Sequence, residues 1–346
     1  MKNKPKIGVI GVGMIADVHI ECIKKDGRGE VTWISSRTEK TLQTKLQKFS
    51  IPNGSLDYRK MLSDPELDGV IIASPPFTHL QIVKDILKSG KHILLEKPMV
   101  TLPDELNSLI KIILDFPNQM ILECSCRHTR LQPKFKFIKQ MIDSCEIGDI
   151  YHIHHRSLSR STYIEYNPAA IWAHQKALGG GGPFMDQGVY DLSFHLGLLN
   201  DKPQIESIRS FTRSGLKTYQ IPDFHSDIEE HGAAWMTFDT GLTYYYERGI
   251  GVPCIVPNIT TIHGTRGCLR FGYNSWDPPE VDYFYTSEGE EKHAVLTIPI
   301  PEDHDDNQAL ITHFLDVLIG GKKPIMTVEL AAKHLQILFQ ILETSK

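Results

Sequence analysis

A short glycine turn near the start of the chain constrains its fold more than any other feature. Gly11, Gly13 and Ala16 stand between an apolar run and a helix-compatible run. Strand, glycine turn and helix form the context in which the pyrophosphate of a dinucleotide binds. Glycine at the first position allows a sharp turn, glycine at the second lets backbone approach a phosphate, and a small third residue lets helix and strand pack closely. The sequence therefore predicts cofactor contacts at Gly11, Gly13, Met14 and Ile15.

Composition narrows the class of protein further. The chain has 346 residues and a formal net charge of −5, which allows two domains and argues against a nucleic-acid-binding surface. No apolar run reaches the ~18 residues of a membrane span. The basic N-terminus and the apolar residues after it are interpreted as the first strand, not as a leader peptide. We therefore expect neither a nucleic-acid partner nor a membrane partner.

The cysteines bear on the cellular compartment. All six are scattered, and none forms a C-x-x-C pair, so no zinc or thioredoxin-type motif is indicated. Cys124 and Cys126 are expected to share one face of a strand as buried thiols. This usage is typical of a reducing compartment, most simply the cytoplasm.

The order of the apolar runs predicts two domains, residues 1–125 and residues 126–346. In the first, strands and helices alternate at short spacing, and the run 69–73 is continuously apolar, as in a strand covered on both faces. This pattern predicts an α/β doubly wound parallel sheet. In the second, strands follow one another with few helices between them until 310–319 and 328–342. We expect an α+β domain with an open, mostly antiparallel sheet.

The residues after the second strand indicate which dinucleotide binds. Ser36 and Arg37 occupy the place where an acidic residue would hold the ribose 2′-hydroxyl of NAD. A carboxylate would repel a 2′-phosphate, whereas serine can donate a hydrogen bond to it and arginine can pair with it bidentately. The sequence therefore predicts that NADP(H) is preferred over NAD(H).

The Glu-Lys-Pro motif at residues 96–98 directly follows a parallel strand. It therefore lies at the carboxyl edge of the sheet, where doubly wound folds bind their ligands. The ammonium group of Lys97 is suited to polarise a substrate oxygen beside a bound nicotinamide. Glu96 is expected to orient the backbone and its neighbours.

A run of four glycines, residues 179–182, precedes a helix in the second domain. Such glycines let the chain pass close to a ligand. Asp186 and Tyr190 follow at i, i+4 spacing and are expected on one helix face. Asp191 and His195 have the same spacing on another face and are interpreted as structural.

The three motifs, in this order and at these separations, resemble the Gfo/Idh/MocA family of glucose–fructose oxidoreductase and inositol dehydrogenase-like proteins. Ala73-Ser74-Pro75 with His79, and Gly264-Thr265-Arg266-Gly267 before an apolar strand, add to the resemblance, which covers essentially the whole chain. The family often has histidine where this chain has Tyr190. Tyrosine there is typical of a subgroup resembling glucose–fructose oxidoreductase and dihydrodiol dehydrogenase. The family also often has asparagine at the position of Pro76, so the resemblance does not carry over one contact near the nicotinamide ribose.

The resemblance implies a Rossmann nucleotide domain followed by a domain for substrate binding and oligomerisation. It implies homodimers or homotetramers built through the exposed sheet. Cofactor contacts are predicted, beyond the glycine turn, at Ser36, Arg37, Ser74, Pro75, His79, Glu96 and Lys97. Catalytic roles are predicted for Lys97, Asp186 and Tyr190. Substrate contacts are predicted at Lys97, Arg127, Trp172, Asp186 and Tyr190.

Histidines elsewhere do not predict a metal site. Strand alternation places His152 and His154 on one face and His155 on the other, and no third ligand is recognisable nearby. Further candidates to line a polyol site, each with a structural or interfacial interpretation beside it, are His128, Tyr163 and His174.

The predicted function is an NADP(H)-dependent oxidoreductase acting on a sugar, cyclitol or related diol. Two alternatives stay open: a glycosidase that uses tightly bound nicotinamide transiently, and a non-catalytic nucleotide-sensing protein. A short-chain dehydrogenase is excluded, because no tyrosine is followed four residues later by lysine.

Hydride transfer requires a group that handles the proton of the substrate hydroxyl. A free phenol, with a pKa of about 10, is a poor base at neutral pH. A nearby ammonium favours the phenolate, so Lys97 is expected to activate Tyr190 across the domain boundary, while Asp186 orients a substrate hydroxyl. The reverse assignment, with Lys97 transferring the proton and Tyr190 holding substrate, stays open.

Overall fold

Two β-sheets organise the chain in the computed structural model, which describes residues 4–162, 165, 170–216 and 226–345. The contacts divide the chain into two units: Met1–Arg127 with His304–Ala332, and His128–Asp303 with Lys333–Lys346. The segment His304–Ala332, expected in the second domain from the sequence, thus belongs to the first unit.

The sheet of the first unit has six strands. They are β1 (Lys6–Ile10), β2 (Glu30–Ser35), β3 (Asn53–Ser55), β4 (Gly69–Ile72), β5 (His92–Leu95) and β6 (Ile121–Glu123). Their order is β3-β2-β1-β4-β5-β6, and all neighbours run parallel. This is the strand order of the doubly wound dinucleotide-binding fold, so the predicted fold class is confirmed for this unit.

Helices connect and cover these strands. With helices numbered in chain order, they are α1 (Met14–Asp26), α2 (Glu39–Phe49), α3 (Arg59–Leu62), α4 (His79–Lys88), α5 (Pro103–Leu114) and α10 (Asp306–Leu318). α10 packs against α1, and a Cβ atom at Gly29 would lie 2.6 Å from the side chain of Leu315. Arg28 donates to Asp316 of α10 at 2.6 Å. These contacts explain why the segment containing α10 joins the first unit.

The sheet of the second unit has eight strands. They are β7 (Ile150–Ser159), β8 (Ile205–Arg213), β9 (His231–Phe238), β10 (Thr243–Ile250), β11 (Val256–Gly264), β12 (Gly267–Phe271), β13 (Glu280–Ser287) and β14 (Glu290–Thr297). Their order is β14-β13-β12-β11-β7-β10-β9-β8. β7 and β10 run parallel, whereas the other neighbours run antiparallel. The predicted mostly antiparallel sheet is confirmed.

One face of this second sheet is covered by a fully buried helix. Among the described residues, the helices that begin in this part of the chain are α6 (Pro133–Asp143), α7 (Lys176–Gly179), α8 (Pro183–Asp186) and α9 (Gly188–Leu198), and a later helix is α11 (Val328–Thr344). Every residue of α9 is buried. Its His195 lies 2.9 Å from the hydroxyl of Thr260 on β11, which places α9 directly on the sheet.

The opposite face of the second sheet, called here the open face, carries Trp235 and the side chains that share its side of the strands. Trp235 is 45% exposed and Phe211 is 49% exposed. The open face also holds a shallow depression lined by His152, His154, Arg156, Trp235, Tyr245 and Glu247. His155 is buried on the other face, as strand alternation predicts.

The segment after β6 differs from the expected strand. β6 ends at Glu123, whose carboxylate accepts the N–H of Ser125 at 2.8 Å. This bond favours a tight 3-10 turn over Cys124–Cys126. The prediction that Cys124 and Cys126 share a strand face is therefore wrong, although both thiols are buried.

Helices long and apolar enough to cross a membrane are not found in the part of the chain that the structure describes.

Candidate active site

The glycine turn after β1 has the geometry that a bound pyrophosphate requires. Gly11 has a φ of +83°, and a Cβ atom there would lie 2.7 Å from the backbone nitrogen of Ser74. A side chain at this position is thus excluded by both conformation and space. Gly13 is the N-cap of α1, and a Cβ atom at this residue would meet nothing within 4 Å. Backbone N–H groups at this helix end are therefore accessible to an anion, and the turn fits a dinucleotide.

The end of β2 presents an arginine suited to a 2′-phosphate. The N–H of Ser36 donates to the carbonyl of Ser55 at 3.3 Å, which fixes the backbone at this point. Arg37 is exposed. Among the described residues no hydrogen bond or ion pair engages its guanidinium group. Its donors are therefore available to a ligand.

The turn after β4 is held by its own side chains. The hydroxyl groups of Ser74 and Thr78 lie 2.7 Å apart, and the imidazole of His79 donates to the carbonyl of Ser74 at 2.9 Å. His79 is fully buried, and burial lowers its pKa. Pro75 precedes a 3-10 turn that starts at Pro76. In this structure His79 shapes the turn beside Gly11, and the predicted cofactor contacts of Ser74, Pro75 and His79 stay predictions.

Glu96 is the centre of a buried hydrogen-bond network at the end of β5. Its Oε1 accepts from His19 Nε2 at 2.9 Å and from Arg127 Nη1 at 2.6 Å. Its Oε2 accepts the backbone N–H of Lys97 at 3.2 Å. Burial opposes ionisation, but Arg127 and His19 hold the pKa of Glu96 far below its usual value. The carboxylate thus fixes the backbone of Lys97, which agrees with the orienting role expected for Glu96.

Arg127 is buried against this network. The structure therefore gives it a partner in Glu96, whereas its predicted contact with substrate stays a prediction.

Three side chains in and beside this network carry atoms of the kinds that ligate metals. His19, Glu96 and Cys124 place their donor atoms within 4.8 Å of one another. Arg127, however, donates to the same Glu96 oxygen as His19 does, and burial raises the pKa of the Cys124 thiol well above its usual value. A guanidinium ion beside a protonated thiol disfavours a bound cation.

Lys97 follows directly after these buried residues. It is half-buried, and its peptide bond to Pro98 is cis. Its position at the carboxyl end of a central strand is where ligands bind in this fold.

Glu123 is a carboxyl group that sequence reasoning did not single out. It pairs with Leu95 in the sheet register and is almost completely buried. Burial, reinforced by the charge of Glu96, raises its pKa to about 7, although Ser125 and Lys97 lower it. The available signal was an acidic residue directly after an apolar run, at the carboxyl edge of the sheet. Its burial, which tunes the pKa, depends on the fold.

In the second unit, Asp186 and Tyr190 lie on two successive helical segments. α8 ends at Asp186, and the N–H groups of Tyr190 and Asp191 both donate to the carbonyl of Gln187, at 2.9 and 3.1 Å. The single helix predicted across this pair is therefore interrupted at Gln187. Asp186 is half-buried and accepts from Gln187 Nε2 at 2.7 Å.

The phenol of Tyr190 belongs to an aromatic row. Tyr190 is 4% exposed, and its ring meets His128 edge-on at 5.3 Å between centroids. His128 in turn meets Trp276 at 5.4 Å, and Trp276 is 68% exposed. The row thus runs from a buried phenol to the surface of the unit.

The glycine run before Asp186 has a partner within the protein. The carboxylate of Glu229 accepts the N–H of Gly182 at 2.8 Å and the N–H of Phe184 at 3.3 Å. A Cβ atom at Gly182 would lie 1.9 Å from the backbone oxygen of Glu229. Glycine is thus required here by a close approach of the chain to itself, where the sequence suggested an approach to a ligand. No pattern around Glu229 indicated this contact.

Asp191 and His195 lie in a buried polar network beneath the sheet. Asp191 accepts two bonds from Arg248, both at 2.7 Å, and single bonds from Tyr246 at 2.7 Å and Tyr273 at 2.5 Å. His195 bonds to Tyr244 and Thr260. Their saturation by protein partners agrees with the structural interpretation.

The remaining predicted substrate residues are only partly described. Trp172 is half-buried in a 3-10 turn, Ile171–His174. His174 is buried, with its Nδ1 3.3 Å from the hydroxyl of Ser226. Tyr163 lies outside the described residues.

Comparison with known proteins identifies the family. Residues 5–119 match the GFO/IDH/MocA oxidoreductase family with an NAD-binding Rossmann fold, and residues 135–270 match the GFO/IDH/MocA C-terminal domain. The oxidoreductase YrbE of Bacillus subtilis is 28% identical over 184 residues, 53% of this chain and 50% of YrbE. The chain thus spans about half the length of this relative.

A relative with longer coverage is trans-1,2-dihydrobenzene-1,2-diol dehydrogenase of Xenopus laevis. It is 24% identical over 253 residues, 73% of this chain and 70% of its own. Among solved structures, levoglucosan dehydrogenase in complex with NADH and levoglucosan superposes with a TM-score of 0.85 and 17% identity, covering 99% of this chain and 97% of its own. That likeness shows the fold. With both family domains matched in order, the chain belongs to the GFO/IDH/MocA oxidoreductase family.

Proposed function

We propose that this protein is an NADP(H)-dependent oxidoreductase that transfers a hydride between nicotinamide and a hydroxyl or carbonyl carbon of a sugar, cyclitol or related diol. The observation that carries the proposal is Lys97, held by the buried Glu96 carboxylate at the carboxyl end of β5 in a nucleotide-binding sheet. Relatives named for a diol and for levoglucosan support hydroxylated substrates.

Three side chains divide the work on the substrate. The nicotinamide ring, when bound, supplies or accepts the hydride. Lys97 stabilises negative charge on the reacting oxygen, Tyr190 takes or gives the proton, and Asp186 accepts a neighbouring hydroxyl to fix its orientation. The burial of the Tyr190 phenol and the partial burial of the Asp186 carboxylate support these two roles.

A substrate panel tests the proposal. Purified protein is incubated with NADP⁺ or NADPH and with aldoses, keto-sugars, inositols, diols and glycosides, and reduced nicotinamide is followed by its absorbance. Turnover of at least one hydroxylated substrate is the expected result. Hydrolysis of a glycoside with no net change in absorbance would favour a glycosidase, and cofactor binding without any turnover would favour a sensor.

Removing the Arg37 guanidinium should weaken the binding of NADP(H) much more than the binding of NAD(H). Because Arg37 is exposed without a protein partner among the described residues, Arg37→Ala should weaken NADP(H) by roughly 1.5–3 kcal/mol, the range of a hydrogen bond to a charged group. Binding of NAD(H) should stay nearly unchanged. Calorimetric titration of both cofactors measures the difference, with Lys60→Ala, an exposed cation on α3, as control. Equal affinities of the native protein for NADP(H) and NAD(H) would contradict the predicted preference.

The open face should join two copies of the chain. It exposes Trp235 and Phe211 and carries both signs of charge, in the pairs Arg156–Glu247 and Arg270–Asp282. In a two-fold interface the same patch of both copies meets itself. The apolar side chains and the mixed charges of the open face therefore suit self-association.

Light scattering at micromolar concentration tests this assembly. The native protein should be at least a dimer, and Trp235→Glu should shift it toward the monomer. Leu114→Glu changes a still more exposed apolar residue on α5 and should leave the mass unchanged. A monomeric native protein would refute this interface.

A further inference from the structure

A buried carboxylate is bonded to the backbone that leads into Asp186. Glu229 is 5% exposed, and one of its oxygens accepts the N–H groups of both Gly182 and Phe184. Gly182 is the N-cap of α8, and Asp186 is the last residue of that four-residue helix. Two backbone donors on a single oxygen fix the direction in which the short helix starts.

The close fit around Gly182 makes this contact specific to one arrangement. A Cβ atom there would overlap the backbone oxygen of Glu229 at 1.9 Å, and a Cβ atom at Gly181 would lie 3.1 Å from the Glu229 carboxylate. The glycine run and Glu229 therefore pack tightly against each other. A shift of either one would move the start of α8.

The ionised carboxylate of Glu229 does not stabilise the folded state. Burial raises the pKa of Glu229 to about 7, although the backbone donors and Lys176 lower it. Because the folded chain holds this proton more tightly than the unfolded chain, folding stability falls as pH rises from the ordinary value near 4.5 toward 7. Above pH 7 the charged carboxylate of Glu229 thus lowers the folding stability, so we look for its role in function.

The hydrogen bonds that Glu229 accepts from Gly182 and Phe184 depend on the ionisation of Glu229 itself. Lys176 on α7 is a charged side chain that acts on it, and α8 presents backbone donors. The carboxylate of Asp227 accepts the N–H of Lys176 at 2.6 Å, and the carboxylate of Glu230 accepts the N–H of Leu216 at 2.6 Å. Both neighbouring acids thus bind other segments.

We propose that Glu229 is a positioning residue whose carboxylate, bonded to Gly182 and Phe184, sets Asp186 for binding the substrate hydroxyl. This inference rests on the proposed function, because it assumes that Asp186 contacts substrate. A charged acceptor bonds these donors more strongly than a neutral acceptor does. The ionised form of Glu229 is therefore the form that binds substrate well.

The test compares Glu229→Gln and Glu229→Ala with Glu230→Gln as matched control, using the substrate that the panel identifies. Glu229→Gln keeps the shape and one acceptor but removes the charge, and KM should rise roughly 3- to 10-fold at pH 8 with kcat little changed. Glu229→Ala should raise KM roughly 10-fold or more. Glu230→Gln should leave both constants unchanged.

Two further readouts separate positioning from a merely structural role. The KM of the native protein should fall as pH rises through about 7, whereas the profile of Glu229→Gln should be flat over that range. The melting temperature of Glu229→Gln at pH 8 should equal or exceed that of the native protein. A structural role predicts the opposite: a lower melting temperature, a lower kcat through loss of folded protein, and an unchanged KM.

The outcomes distinguish this inference from the proposed function. If the native protein turns over no substrate in the panel, the proposed function is wrong. If the native protein is active but Glu229→Gln shows the native KM and the native pH profile, only the positioning role of Glu229 is wrong. Faster amide hydrogen exchange over residues 179–188 in Glu229→Ala, but not in Glu230→Gln, is expected in addition, and unchanged exchange would also overturn the inference.

Discussion

Lys97→Ala is expected to lower kcat by roughly 10²-fold or more, with NADPH binding largely intact. In the proposed mechanism the ammonium group stabilises charge that develops on the reacting oxygen, so its loss should raise the barrier of the chemical step. The Glu96 carboxylate, which bonds to His19, Arg127 and the backbone of Lys97, is retained in this variant. Steady-state kinetics and NADPH titration therefore measure the loss of the ammonium group without loss of the network.

Tyr190→Phe is the companion change on the second unit. It keeps the ring against His128 and removes only the hydroxyl, so kcat should fall by roughly 10²–10⁴-fold, the usual reach of general acid–base catalysis. Tyr151→Phe removes the hydroxyl of an exposed tyrosine and should have no effect. A near-normal kcat with a raised KM in Tyr190→Phe would show that Tyr190 holds substrate and that Lys97 transfers the proton.

Arg248→Met should cause the largest loss of stability, about 3–5 kcal/mol in the free energy of unfolding. Asp191 is completely buried, and Arg248 and His155 hold its pKa well below the usual value against the effect of burial. Removing the guanidinium leaves a buried carboxylate without its countercharge. Urea unfolding followed by circular dichroism measures the difference.

A matched control separates burial from charge in this experiment. Arg59→Met removes an exposed arginine that pairs with Asp85 at 3.2 Å and should change stability by less than ~1 kcal/mol. The double variant Asp191→Asn with Arg248→Met should recover part of the loss, because no unpaired charge then remains. A loss below ~1 kcal/mol in Arg248→Met would contradict the assigned importance of this network.

Local sequence patterns predicted the nucleotide-binding edge because its requirements are local. The sharp turn at Gly11 and the open approach at Gly13 follow from residue type and spacing, and the structure has both. The position of Lys97 at the end of β5 likewise follows from the apolar run before it. Alternation along β7 correctly separated His155 from His152 and His154.

Features that depend on distant partners could not be predicted in this way. Glu229 meets Gly182 across 47 positions of sequence, and no periodicity reports such a contact. Glu123 acquires its raised pKa from burial in the assembled sheet. The interruption at Gln187 was hidden because i, i+4 spacing looks the same in one helix or in two short segments.

The return of the chain to the first unit was hidden for the same reason. An amphipathic helix at Asp306–Leu318 is readable from the sequence, but which apolar surface covers it is not. The side chain of Leu315 against Gly29 decides this.

Deuterium labelling tests most directly whether a hydride passes between nicotinamide and a hydroxylated carbon. NADPH carrying deuterium at both hydrogen positions of nicotinamide C4 is incubated with the native protein and the keto or aldehyde form of the substrate from the panel, and the product is analysed by mass spectrometry. Deuterium is expected on the carbon that bears the new hydroxyl, and Lys97→Ala should form this labelled product roughly 10²-fold or more slowly. Product without deuterium at that carbon would contradict the account.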